Sequence, residues 1–248
     1  MIARRNILLT LRFAGTNYSG WQVQQNAPSV QAVFQDALER VTGVRGEVKG
    51  CSRTDSGVHA LGYCVSLHTD SHIPPGRLQD ALNAHLPADI AVTACREVAQ
   101  DFHARYSATG KEYVYRLLNS RVKDPLAPAL SHRVGYKVDE KLLHGQAQAF
   151  VGKHDFAAFM AGGSDITDTV REITGFTVHR EGEYVIFTVR GNGFLYKQVR
   201  IMVGTLLAIA VGKLPPGCIP GIIAGKDRAK AGKTAPACGL YLNEVFYS

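Results

Sequence analysis

The order in which apolar spacing changes along the chain constrains the fold more than any other feature. Ile7 to Phe13 is rich in β-formers and reads as a strand. After a loop containing Gly15, Asn17, Gly20 and Pro28, Ser29 can cap a helix. Its apolar residues Val30, Val33, Phe34, Ala37, Leu38 and Val41 form one continuous face, and Gly43 ends it. A strand near Glu47–Ser52 and a return strand over Gly62–Thr69 follow. Pro75 then opens a helix through Leu78, Leu82 and Leu86, which Pro87 stops, and Ile90–Val98 closes the series as a strand. The order is β-α-β-β-α-β, the split βαβ or ferredoxin-like arrangement.

The second half repeats that order without repeating residues. Tyr113–Leu118 reads as a strand and Val138–Val151 as a helix. Ile173–Arg180 and Tyr184–Arg190 make a hairpin around Glu181-Gly182-Glu183, Phe194–Val211 is a helix and Leu240–Tyr247 a last strand. The expected fold class is mixed α/β (α+β): two ferredoxin-like, RRM-like halves, 1–105 and 106–248, joined into a mainly antiparallel sheet with a central cleft. Sheets of this kind are a common RNA platform.

Charge separates the halves. The net charge is +7, yet residues 1–105 carry ten Lys and Arg against nine Asp and Glu, while residues 106–248 carry eighteen against twelve. The densest basic cluster is Lys226, Arg228, Lys230 and Lys233, in a loop-like stretch with Gly225 and Gly232. A polyanion is the natural partner for it. No segment approaches the ~20 continuous apolar residues of a membrane span. The run Ile7-Leu8-Leu9 behind Met1-Ile2-Ala3-Arg4-Arg5 is too short for a signal peptide, so a cytoplasmic protein is expected. Five scattered cysteines argue against a disulfide scaffold. The spacing of Cys51, His59, Cys64 and His68 matches no common zinc pattern. Neither Gly232-Lys233-Thr234 nor Gly191-Asn192-Gly193 completes a nucleotide-binding motif. No cofactor and no metal is expected.

The chemistry centres on Arg53-Thr54-Asp55-Ser56-Gly57-Val58-His59-Ala60, between two apolar segments. Gly57 tolerates positive φ and permits a sharp bend that presents Asp55. A carboxylate held there can act as nucleophile, base or electrostatic partner, or simply bond its own backbone as turn aspartates do. The octet as a whole closely resembles the catalytic motif of the tRNA pseudouridine synthase A family. Further blocks in family order resemble it too: Gly20-Trp21-Gln22 with Gln24, Asp101-Phe102-His103-Ala104-Arg105, Lys111-Glu112-Tyr113, Gly193-Phe194-Leu195-Tyr196, Val199-Arg200 with Val203-Gly204, and Gly239-Leu240-Tyr241-Leu242. They span nearly the full chain.

The resemblance implies a cytoplasmic isomerase that converts uridine to pseudouridine at tRNA positions 38, 39 and 40, in the anticodon stem-loop. It also implies a homodimer in which one tRNA touches both subunits. It gives Asp55 the essential carboxylate, with nucleophilic attack and C2′ proton abstraction both open. A shielded carboxylate stays ionised only beside a cation, and Arg200 is the candidate. Tyr113 is implied to stack on the extruded uracil and relay a proton, Arg53 to hold the flipped nucleotide, and Leu240 to wall the base. Trp21 and Gln22, in a polar loop, are expected to contact RNA, with Trp21 stacking on it or closing as a lid. His59 is expected to be structural or supporting. The competing reading is a non-catalytic RNA-binding or RNA-folding protein on the same platforms, which would not need Asp55, Tyr113 and Arg200 together.

Overall fold

The computed structural model describes residues 4–126, 129–163 and 166–248; the first three residues of the N-terminal stretch read above lie outside them. Two compact units are present, Met1–Thr109 with Tyr241–Ser248, and Gly110–Leu240. Both mix helices with mostly antiparallel strands. Among the described residues no helix is long and apolar enough to cross a membrane.

The first unit follows the expected element order: β1 (Arg5–Phe13), α1 (Val30–Thr42), β2 (Lys49–Gly50), β3 (His59–Thr69), α2 (Pro75–His85) and β4 (Ile90–Val98). β1 lies between β3 and β4, antiparallel to both. Ile7, Leu8 and Leu9 are all buried, so both faces of β1 are covered, which explains an uninterrupted apolar run. α1 buries Val30, Phe34, Ala37 and Leu38, a spacing that places them on one face. Ser29 caps it through the Ala32 N–H at 3.3 Å, and Gly43 leaves it in the left-handed region at φ 77°. α2 starts with Pro75 and ends at Leu86, whose extended backbone is what a residue before proline adopts.

Two features differ from expectation. The strand near 47–52 is only Lys49–Gly50, set against Val65 and Ser66 of β3. The same edge of β3 is occupied further back by the last strand, β10 (Leu240–Tyr247), whose Tyr241 and Leu242 run parallel to His59 and Ala60. All of β10 after Leu240 thus belongs to the first unit rather than to the second half, and the division between units falls after Thr109 rather than after residue 105.

The second unit contains nearly all of β5 (Ala108–Asn119), then β6 (His132–Val134), α3 (Glu140–Ala147), β7 (Gly152–Asp155), β8 (Val170–Glu181), β9 (Tyr184–Gly191), α4 (Gln198–Ala210) and α5 (Ile219–Gly225). Its strands run β5-β9-β8-β7, antiparallel throughout, with β6 parallel to the end of β5. β6, β7 and α5 escape a periodicity reading because each is short. β7 is Gly-Lys-His-Asp, and α5 has only seven residues, two of them glycine. α4 starts four residues later than its apolar pattern suggests. Lys197 takes a left-handed conformation (φ 59°) and turns the chain into the helix only at Gln198. Beyond that point α4 is apolar nearly all round and buried accordingly.

Ser29 is fully buried and caps α1, so Ser29→Ala is expected to cost about 1 kcal/mol of stability. A urea unfolding midpoint unchanged from the parent would refute that role.

Candidate active site

Asp55 lies in the connection between β2 and β3, and that connection is held by a second loop, residues 14–21. The Tyr18 carbonyl accepts the Gly57 N–H at 3.2 Å and the Ser56 hydroxyl at 3.4 Å. The Val58 N–H closes the turn by donating to the Asp55 carbonyl at 3.2 Å. Gly57 has φ 77°, as its place in the bend requires. Gly20 has φ 93°, and a Cβ there would run into the Thr54 carbonyl oxygen. Two loops that approach this closely leave Asp55 little backbone freedom. Asp55 is half-buried and Arg53 is exposed.

His59 ends the turn. It is 1% exposed, its Nδ1 accepts the Gly15 N–H at 3.0 Å, and its ring stacks on Tyr241 at 4.7 Å. It braces the two loops. The 14–21 loop has its own anchor in Asp89, which sequence reading missed. The Asp89 carboxylate accepts from the Tyr18 hydroxyl at 2.7 Å and the Asn17 amide at 3.1 Å. Burial, and then that pairing, push the Tyr18 phenol well above its ordinary range, so Tyr18 stays a donor. A tyrosine and an aspartate this far apart in sequence carry no signal that would join them.

Trp21, read as stacking on RNA or closing as a lid, packs inside the first unit. It is 4% exposed and stacks on Tyr63 at 4.3 Å with 29° between the rings. The only tryptophan in the chain is core packing beneath the Asp55 connection. Its exposed polar neighbours, Gln22 among them, made the segment look like a free loop.

In the second unit, Tyr113 shares a face of β5 with Tyr115 and Leu117 and is 7% exposed. Phe194 meets its ring edge-on at 5.1 Å, which brings two of the sequence blocks together. Next to it, Glu112 is 4% exposed and pairs with Arg190, its direct cross-strand partner on β9. Only the Glu's place beside Tyr113 hinted at that buried charge. Arg200, on the first turn of α4, is half-buried. Its Nε donates to the Ala235 carbonyl at 2.7 Å, and the Ala235 N–H donates to the Arg200 carbonyl at 3.0 Å. This reciprocal pair fixes the plane of the guanidinium. Gln198 steadies the turn before α4 by accepting the Leu195 N–H at 2.8 Å. Leu240 is buried.

A family model described as tRNA pseudouridine synthase matches residues 10–107 and 146–248. The chain belongs to that family. It is 48% identical over 244 residues to the tRNA pseudouridine synthase A of Ruminiclostridium cellulolyticum, covering 98% of this chain and 100% of the relative. To the tRNA pseudouridine synthase A of Acetivibrio thermocellus it is 45% identical over 243 residues, again 98% of this chain and 100% of the relative. Among solved structures, a Cbf5-Nop10-Gar1 complex aligns over 81% of this chain and 53% of that one, with 12% identity and a TM-score of 0.38, too remote to carry an argument.

The structure divides the basic cluster in two. Arg228 turns inward and donates to the Ala231 and Gly232 carbonyls and the Thr234 hydroxyl, at 3.4, 3.0 and 3.3 Å. Lys226 pairs with Asp155 at 2.7 Å. Both were expected to grip RNA; Arg228 is bound within its own loop, and Lys226 ties that loop to β7. Lys230 and Lys233 are exposed.

The Lys226 ammonium, helped by the Thr169 hydroxyl, holds the Asp155 carboxyl down at about 2. A carboxyl depressed in the folded state adds stability above its unfolded value near 3.9, and that stability fades as pH falls towards 2. Lys226→Ala is therefore expected to lower the urea midpoint at pH 7 and to leave it nearly unchanged at pH 2. Equal losses at both pH values would reject the pairing.

Proposed function

We infer that this chain isomerises uridine to pseudouridine in the anticodon stem-loop of tRNA, at positions 38, 39 and 40, as a cytoplasmic homodimer. The observation that carries the reading is near-half identity, along 98% of the chain, to an enzyme named tRNA pseudouridine synthase A. In the reaction the N1–C1′ bond breaks, the uracil turns, and a C5–C1′ bond forms. A proton leaves C5 and one arrives at N1, so nothing is consumed and no co-reactant is needed.

Asp55 supplies the essential carboxylate, either by nucleophilic attack or by taking the C2′ proton. Its tightly held turn supports this, because a reacting group gains from being positioned before the substrate arrives. Arg200 is the cation proposed to act with that carboxylate. Tyr113 packs against the base and relays a proton through its hydroxyl. Arg53, exposed beside Asp55, holds the flipped nucleotide, and Leu240 lines the apolar side. Extruding the base costs a few kcal/mol, which phosphate contacts at Lys230 and Lys233 help offset.

Asp55→Asn keeps the size of the side chain and removes its charge. The variant is expected to fold, to bind an unmodified tRNA transcript nearly as well as the parent, and to make no pseudouridine detectable by mass mapping. Tyr113→Phe is expected to bind normally and turn over more slowly. Parental single-turnover rates from Asp55→Asn, with deamidation excluded, would overturn the reading. For assembly, sedimentation equilibrium is expected to give about twice the chain mass of 26.9 kDa; a particle of single-chain mass at micromolar concentration would reject the homodimer.

A further inference from the structure

Residues 102–107 form a turn fastened more tightly than a surface connection requires. Ala104 is fully buried; its N–H donates to the Ser66 hydroxyl at 3.0 Å and its carbonyl accepts the Tyr247 hydroxyl at 2.7 Å. The His103 N–H donates to the Ser107 hydroxyl at 3.0 Å, and the Ser107 N–H returns to the His103 carbonyl at 2.9 Å. His103 Nδ1 accepts the N–H groups of Arg105 and Tyr106, at 3.0 and 3.3 Å. A ring nitrogen that accepts two donors carries no proton. Burial first, and then Lys49 and Arg105 against the opposing pull of Glu47, hold His103 below its ordinary value and so in that accepting form.

This rigid turn presents Tyr106 to solvent. The residue is 75% exposed, against 38% and 39% for Tyr136 and Tyr196. The Arg105 guanidinium lies 5.5 Å from its ring centre, and the His103 imidazole 4.4 Å away, tilted by 40°. Single exposed apolar side chains are ordinary. An aromatic face flanked by a guanidinium and an imidazole, on a turn pinned from both sides, is the arrangement by which proteins stack an unpaired nucleobase. Its rigidity removes the ordering cost that a flexible loop would bring to binding.

We propose that Tyr106 is a stacking platform for an unpaired base of the RNA substrate, with Arg105 as its cationic flank. The proposal rests on the reading that the substrate is tRNA. It places an RNA contact in the unit that charge counting leaves almost neutral. Lys49 and Arg105 are balanced there by Glu47 and the exposed Asp101. The platform therefore works by ring contact rather than by phosphate attraction, and its contribution is nearly independent of salt.

The test is the affinity of an unmodified tRNA transcript for the parent, Tyr106→Ala and Tyr106→Phe across a salt series. Tyr106→Ala is expected to bind about 5- to 100-fold more weakly at every salt concentration with an unchanged salt slope. Tyr106→Phe, which keeps the ring, is expected to stay within about twofold of the parent. Parental affinity in Tyr106→Ala would overturn the proposal, as would equal losses in Ala and Phe. A changed sedimentation mass in Tyr106→Ala would assign the ring to a contact between copies of the chain and overturn it too. A parent that binds through Tyr106 but makes no pseudouridine would sink the proposed reaction and leave this contact standing.

Discussion

The interlock between two loop backbones is the constraint on which the first unit's functional geometry depends. One carbonyl, that of Tyr18, receives both the Gly57 N–H and the Ser56 hydroxyl, and the Gly15 N–H answers on His59. Each such bond is worth only about 0.5–1.5 kcal/mol net. Their effect comes from arrangement: they hold the residues just after Asp55, while before it Gly20 lets the second loop approach Thr54 where a side chain would collide. Asp89 carries the restraint outward through Tyr18 and Asn17. The position of the carboxylate is therefore set by backbone contacts several residues away.

Cations in the second unit show the same priority of structure over display. Arg190 neutralises a buried glutamate, Arg228 ties three groups of its own loop, and Lys226 pairs with Asp155. A net charge counted from sequence treats these residues as equal to Lys230 and Lys233, although they are already engaged. The Tyr106 turn is the converse case, an RNA-facing surface proposed where the charge count is close to nil.

What could be read in advance was whatever is encoded locally. Ser29 and Gly43 bracket α1, Pro75 and Pro87 bracket α2, and Glu181-Gly182-Glu183 lies at the turn of the β8–β9 hairpin. Elements too short to display a period, such as β7 and α5, gave no pattern. Residues whose surroundings are assembled from distant segments misled the reading. Trp21 sits in a polar stretch, yet Tyr63, far along the chain, covers its ring. Asp55 stood out through the motif around it, whereas the loop that holds it in place was marked only at Gly20-Trp21-Gln22, with no sign that it meets the Asp55 turn.

The placement of β10 sets an order on how the protein is made. His59 is synthesised early and Tyr241 almost a whole chain later, yet their strands lie side by side and their rings stack. Ribosomes add about 5–20 residues per second, and early domains generally fold as they emerge. The first unit cannot finish in that way. Its β3 edge at His59–Ala60 stays open, and the Tyr247 hydroxyl is missing from Ala104, until the final residues appear. Pairings between such distant segments are slow to form, and an open edge invites foreign strands meanwhile. The turn bearing Asp55 runs straight into that edge, so a nascent chain carries the aspartate long before it carries a finished site.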